Sequence, residues 1–366
     1  MPGDVRSVLM TADAVGGVWT YAMELCAALG GRGVRVALAV MGPPPTAEQR
    51  AEVRSIPGLS LADSPYRLEW MDEPWADVDA ASAWLLALER DLRPDVVHLN
   101  GYAHGRVPFF APVMVVGHSC VLSWFDQVQG EPAPSRYEEY RRRARAGLQC
   151  ASLIVAPSRT MIGWLERLYG PFRAARVIHN AERAGRTAQT AKEPFVLAAG
   201  RMWDEAKNLA ALGAAAQSLP WPVLVAGDSR RTDGRMADGR HVQLLGPLKK
   251  EDLMSRMERA SIFAAPALYE PFGLSVLEAA LRGCALALSD IPSFRELWNG
   301  CAEFASPRDP AALTAALRRL IADPLRRAAY ANRARCRAEL FAPARMADAY
   351  LDAYRSLGHQ PHGAAA

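Results

Sequence analysis

Two glutamates eight residues apart, Glu270 and Glu278, bracket a Pro271-Phe272-Gly273 turn. Glu270 falls in a loop. Glu278 falls inside a helix expected over Leu274–Arg282, where Ala279, Ala280 and Leu281 are strong helix formers. Eight residues at helical rise span roughly 12 Å, about the reach from a sugar ring across a diphosphate to a ribose. Between the carboxylates lie the N–H groups of Phe272, Gly273 and Leu274, which a helix start leaves without intrahelical partners. Those groups and the helix dipole attract an anion. A carboxylate, an anion cradle and a second carboxylate can together hold a nucleotide-sugar. The plain alternative is a capped surface helix with Glu278 in solvent.

Other residues suit the same chemistry. Arg201 and Lys207 stand in the stretch Gly200–Asn208 at a helix start, where cations are unfavourable unless an anion sits there. A guanidinium fork and an ammonium point charge both suit phosphate. Two fixed cations at a diphosphate can stabilise a departing nucleotide, so no metal and no cofactor is expected. Asp77-Val78-Asp79 has the D-x-D spacing of a metal site, but it opens a helix, where aspartates cap free N–H groups. His118 follows a strand over Val113–Val116, at the end where α/β sheets place ligands. Gly16-Gly17 opens another helix and suits close backbone approach. Neither a G-x-G-x-x-G nor a P-loop pattern occurs.

These stretches resemble the retaining glycosyltransferases of family 4. EPFGLSVLEAALRG is similar to their donor-site signature, and Gly200-Arg201 followed by Lys207-Asn208 matches the opening of their second domain. The resemblance covers nearly the whole chain. It implies the GT-B architecture, two Rossmann-like doubly wound domains facing a central cleft. It also implies transfer of a hexose from a nucleotide-diphosphate sugar to an acceptor by front-face displacement, the leaving-group oxygen taking the acceptor proton. Glu270 and His118 would then act on the sugar, with Phe272 and Gly16 in the loops around it. Arg201, Lys207, Gly17 and the N–H groups of Gly273 and Leu274 would hold the diphosphate, and Glu278 the ribose. Asn100, Tyr102 and Trp124 would line the acceptor cleft. One carboxylate at the sugar does not make a glycosidase-like pair at ~5 Å. A non-hydrolysing nucleotide-sugar epimerase and a non-catalytic nucleotide-sugar binder remain as rival readings. The base, the sugar and the acceptor (glycolipid, polysaccharide or natural product) stay open.

The elements that must position these residues follow from periodicity. Strands are expected at Val5–Thr11, Arg35–Met41, Leu59–Ala62, Asp95–Leu99, Val113–Val116, Ser152–Pro157 and Arg176–Asn180. Helices alternate with them at Gly17–Leu29, Ala47–Ser55, Val78–Arg93, Arg136–Gln149 and Arg159–Tyr169, with Ser123–Ser135 as a loop. Ala181–Glu193 lacks large apolar residues and reads as a linker. The pattern restarts with strands Phe195–Ala199, Val223–Ala226, Val242–Leu245, Ile262–Ala265 and Cys284–Leu288 and helices Leu209–Leu219, Glu251–Glu258 and Asp309–Ala322. Alternation of this kind implies parallel doubly wound sheets. The expected domains are 1–183 and 194–342, with a last helix near Arg345–Leu357; the family resemblance implies that this end, about 343–366, crosses back to the first domain. The tail after Leu357 reads as frayed.

Composition sets the outer limits. The chain has 366 residues, 50% hydrophobic and 22% charged, comfortable for two domains. A net charge of +4 does not call for nucleic acid. Six scattered cysteines without C-x-x-C fit reduced thiols in the cytoplasm. No apolar run reaches the ~18 residues of a membrane span, and the start lacks a secretory pattern. The arginine-rich helix at Arg136–Gln149 is either a solvated face or a peripheral contact with the inner membrane face.

Overall fold

The computed structural model describes residues 4–184, 190–230 and 239–358. In chain order the first half runs β1 (Ser7–Asp13), α1 (Gly17–Gly30), β2 (Arg35–Met41), α2 (Ala47–Ser55), β3 (Leu59–Asp63), α3 (Trp75–Leu92), β4 (Val96–Leu99), β5 (Val113–Val116), α4 (Val121–Trp124), α5 (Glu138–Cys150), β6 (Leu153–Ala156), α6 (Arg159–Tyr169) and β7 (Ala175–Val177). The second runs β8 (Glu193–Ala199), α7 (Leu209–Ala216), β9 (Val223–Ala226), β10 (Gln243–Gly246), α8 (Lys250–Arg259), β11 (Ala260–Ala265), α9 (Leu274–Leu281), β12 (Ala285–Ser289), α10 (Pro292–Trp298), β13 (Ala302–Ala305), α11 (Pro310–Ala322) and α12 (Pro324–Ala338). The helix α13 (Pro343–Leu357) follows.

The chain divides into two units, each with its own parallel sheet. The first holds 4–126, 131–181 and 343–358, and the second holds Gln127–Gly130 and Glu182–Ala342. Among the described residues the first sheet has order β3-β2-β1-β4-β5-β6-β7 and the second β10-β9-β8-β11-β12-β13. Interior strands such as β5 and β9 are apolar and buried along their length, the composition of a sheet covered by helices on both faces. Strand order reverses between β1 and β4 in one unit and between β8 and β11 in the other. Loops leaving the carboxyl ends of strands at such a reversal form a ligand crevice. Those loops carry Gly16, Asn100, Arg201 and Glu270.

The core of the first unit joins Tyr21, Leu25 and Leu29 of α1 to Met346, Tyr350, Tyr354 and Leu357 of α13. Tyr350 and Tyr354 are fully buried. The second unit packs Phe272, Phe294, Trp298 and Phe341 over one face of its sheet.

Three local expectations need correction. The loop expected at Ser123–Ser135 is partly helical: α4 ends at Trp124 and a π turn, Phe125–Gln129, continues it. A π turn breaks the 3.6-residue period, which hides it from a pattern search. Asp77 and Asp79 do not cap a helix. Pro74 occupies the cap position of α3, Asp77 faces Arg67 at 3.6 Å, and Asp79 takes both guanidinium nitrogens of Arg143. The expected linker begins with buried residues, Ala181 at 1% and Glu182 at 4% exposure, while its centre, 185–189, lies outside the described residues. So does the tail expected to fray, from 359 onward.

Candidate functional site

The second unit builds a charged cluster at its sheet reversal. After β8 the chain turns at Gly200 and runs through Arg201 into a 3₁₀ turn, Glu205–Lys207, capped by Asp204. Asn208 adopts a left-handed conformation and donates through its amide to the carbonyls of Pro266 and Pro307. The N–H of Leu268 donates to the carbonyl of Ala206. These bonds tie the Lys207 turn to the loop after β11. Lys207 Nζ lies 2.5 Å from Glu270 Oε2, with side chains 21% and 17% exposed. The glutamate's carbonyl in turn accepts from the Ser293 hydroxyl, which steadies the loop.

The helix α9 starts beside this pair without a side-chain cap. Gly273 at its start has φ 89, a conformation that costs any other residue. The first helical N–H groups, of Leu274 and Ser275, donate to no backbone carbonyl among the described residues. An uncapped helix start next to a cation and a carboxylate is a ready anion cradle. Glu278 is 9% exposed, so it is not the solvated carboxylate of a surface helix. Arg201 is exposed, stacks 5.6 Å from the Trp203 ring, and pairs with no carboxylate among the described residues. Phe272 is 3% exposed and packs edge-on against Phe341, so its side chain supports the loop and does not line a site.

The first unit holds the histidine cluster. His118 Nε2 lies 2.8 Å from Asn100 Oδ1, and its ring meets Tyr21 edge-on at 4.4 Å. The ring is half-buried, and loss of hydration pushes its pKa down to about 3. Behind it, His98 in β4 is fully buried and also held to about 3. Both rings are therefore neutral near pH 7. Gly16 precedes α1 with φ 82, and Gly17 is the first residue of that uncapped helix.

Tyr102 is not a surface residue: it is 3% exposed and its hydroxyl donates to the Ser119 carbonyl, bracing the His118 loop. Trp124 is half-buried against Phe125. The arginines of α5 are largely spent inside the unit, Arg141 on Glu138, Arg142 on Glu139, and Arg143 on Glu139 and Asp79.

Some contributors escape a sequence reading. The Glu69 carboxylate accepts the N–H groups of Tyr102 and Ala103 and so shapes the loop after β4, although burial pushes its pKa up. Nothing in its sequence neighbourhood marks it. His98 did carry a signal, as a lone polar residue inside an apolar strand.

Residues 15–181 match the family profile described as Glycosyltransferase Family 4, and residues 193–323 match that described as Glycosyl transferases group 1. The chain is 28% identical over 267 residues to a glycogen synthase of Mycobacterium tuberculosis, a match that covers 65% of this chain and 63% of that protein. Its fold is similar to that of sucrose-phosphate synthase from Thermosynechococcus elongatus, with TM-score 0.80 at 20% identity over 96% of this chain and 99% of that one. It is also similar to HepE from Anabaena, solved in complex with UDP-glucose, with TM-score 0.73 at 16% identity over 96% and 99% of the two chains. Both sheets and the two profile matches agree: the chain belongs to the glycosyltransferases of family 4, with the Rossmann-like units of the GT-B fold.

Proposed function

We propose that this chain transfers a hexosyl group, with retention, from a nucleotide-diphosphate sugar to a carbohydrate, lipid-linked or small-molecule acceptor. The observation that carries this reading is the Lys207–Glu270 pair beside the uncapped start of α9. Each charge is satisfied by the other. A donor offers replacements for both, phosphate oxygens for the ammonium and sugar hydroxyls for the carboxylate. Arg201 adds a second cation and Glu278 takes the ribose hydroxyls. In the transfer step the acceptor oxygen bonds to the anomeric carbon on the face that the diphosphate leaves. The bond from that carbon to the phosphate oxygen breaks, and this oxygen takes the acceptor's proton. The nucleoside diphosphate departs with charge that the cations and the helix start stabilise.

Turnover is proposed to need no metal, because the cation cradle supplies the charge and both aspartates of the D-x-D stretch are engaged by arginines. With all six cysteines free, a reducing compartment is the proposed setting.

Calorimetry with UDP-, GDP-, ADP- and TDP-hexoses tests the donor, UDP-glucose first because HepE was solved with it. The expected result is binding of one class, with acceptor-dependent release of nucleoside diphosphate in excess EDTA. An epimerised sugar formed without acceptor would make the chain an epimerase. Binding without turnover under every acceptor would make it a binder. Activity abolished by EDTA and restored by Mn²⁺ would replace the cation cradle with a metal.

A further inference from the structure

The His118 cluster has a hydrogen-bond logic that assigns the ring protons of both its histidines. Asn100 is held on two sides by Thr11: its N–H donates to the Thr11 hydroxyl at 2.8 Å and its Nδ2 donates to the Thr11 carbonyl at 2.6 Å. A carbonyl oxygen only accepts, so the amide nitrogen must face it. That leaves Oδ1 facing two imidazoles, His118 Nε2 at 2.8 Å and His98 Nε2 at 3.2 Å. An amide oxygen also only accepts, so both rings must carry their proton on Nε2. The second nitrogen of His98 is then a bare acceptor, and the Tyr354 hydroxyl meets it at 2.6 Å. The Tyr21 hydroxyl, 3.2 Å from His98 Nε2, is the remaining polar neighbour and can accept from the same N–H. The second nitrogen of His118 has no partner among the described residues.

We infer that Asn100 is a positioning residue, not part of an acceptor surface. Its amide, oriented by Thr11, locks His118 as the Nε2–H tautomer and leaves Nδ1 as an acceptor for a hydroxyl of the transferred hexose. The hydroxyl role rests on the proposed transfer reaction, whereas the tautomer follows from the hydrogen bonds alone. His98 and Tyr354 back the lock: with its Nε2 proton turned to Asn100, His98 accepts the Tyr354 hydroxyl of α13 at its bare Nδ1. A polar group 256 residues away is thereby tied to the proposed sugar-contacting ring.

The test is a long-range ¹H–¹⁵N correlation spectrum of the full-length protein labelled at histidine, which reads which ring nitrogen carries the proton. His118→Gln and His98→Gln assign the two rings. At about pH 8 both should be neutral with the proton on Nε2. Asn100→Leu removes the acceptor at similar volume. It should mix the His118 tautomers and lower kcat about 10-fold or more while the donor KM moves less than about two-fold, because orientation and not binding is lost. Asn100→Asp keeps an acceptor towards both rings and should keep the Nε2 proton. A wild-type His118 protonated on Nδ1 overturns the inference, and so does an Asn100→Leu protein with unchanged tautomer and unchanged kcat. If Asn100→Leu fails to fold, the wild-type and Asn100→Asp spectra decide. A wild-type Nε2–H tautomer together with full turnover in His118→Gln would sustain the lock and remove the hydroxyl contact.

Discussion

Lys207 and Glu270 sit 2.5 Å apart in a loop cluster that keeps about four-fifths of each side chain from solvent. Water screens such a pair poorly, so removing one partner leaves the other short of compensation. Glu270→Gln should lower turnover roughly 10²-fold and cost about 1–3 kcal/mol of stability, the usual penalty for a partner left unsatisfied. Steady-state kinetics and urea unfolding of the purified variant read the two effects. Near-normal turnover would remove Glu270 from the chemistry. Arg201 and Lys207 are expected to separate in the same assays. Each alanine variant should lose on the order of 10²–10³-fold in rate if its cation stabilises the departing diphosphate. Only Lys207→Ala should also lose stability, because Arg201 is exposed and pairs with no carboxylate among the described residues. Equal melting temperatures for Lys207→Ala and wild type would show that the pair contributes nothing to the fold.

Elements bring these residues together through close backbone approaches that a Cβ would block. A Cβ on Gly227, just past β9, would lie 1.8 Å from the Gly200 carbonyl at the end of β8. Backbone cannot move aside as a side-chain tip can, and φ 122 at Gly227 adds strain. Gly227→Ala should therefore destabilise the second unit by more than about 4 kcal/mol, read as loss of the cooperative urea transition or of soluble protein. A variant that melts with wild type would refute the steric argument. The start of α9 is tight in a milder way: a Cβ on Gly273 meets the Phe294 ring at 3.0 Å. That closeness keeps the anion cradle bare of side chain.

At the scale of the molecule, the last helix belongs to the first unit although the second unit precedes it in the chain. It buries Met346, Tyr350, Tyr354 and Leu357, each worth about 1.5–3 kcal/mol of apolar burial, and closes the hydrogen bond to His98. Truncation before Pro343 should lower the melting temperature sharply, and a truncated chain that melts at the full-length temperature would show the helix is not docked. Stability should also fall in acid. His98 and His104 are buried with pKa values pushed down to about 3 and about 4 from 6.5 by desolvation. A depressed histidine is neutral in the fold and protonates first in the unfolded chain. Its contribution is thus complete above about pH 6.5 and lost as pH falls towards 4 and then 3. Each of these two should remove roughly 1.4 kcal/mol per pH unit within that window, and His118 acts in the same direction. Urea unfolding at several values from about pH 7 to about pH 5 checks this, and a flat profile would contradict it.

By itself the sequence determined the two parallel sheets and most helices. Strands buried on both faces are apolar without interruption, so β2, β5 and β9 have the bounds that periodicity predicts. The helices α2 and α6 begin where Thr46 and Ser158 can cap them, which is local information. The last turns of the fold were less legible for equally physical reasons. The helix α12 buries only Ala334 and Ala338 and shows no apolar stripe, while α10 and β13 are too short to establish a period. What only the tertiary structure decided is who meets whom. Lys207 reaches Glu270 across 63 residues and Tyr354 reaches His98 across 256. Strand order brings such pairs together, and no local pattern encodes it. The same holds for the demotion of Phe272 and Tyr102 from lining a site to supporting loops. A side chain's burial depends on the neighbours that the fold delivers, and the spacing of a motif is silent about them.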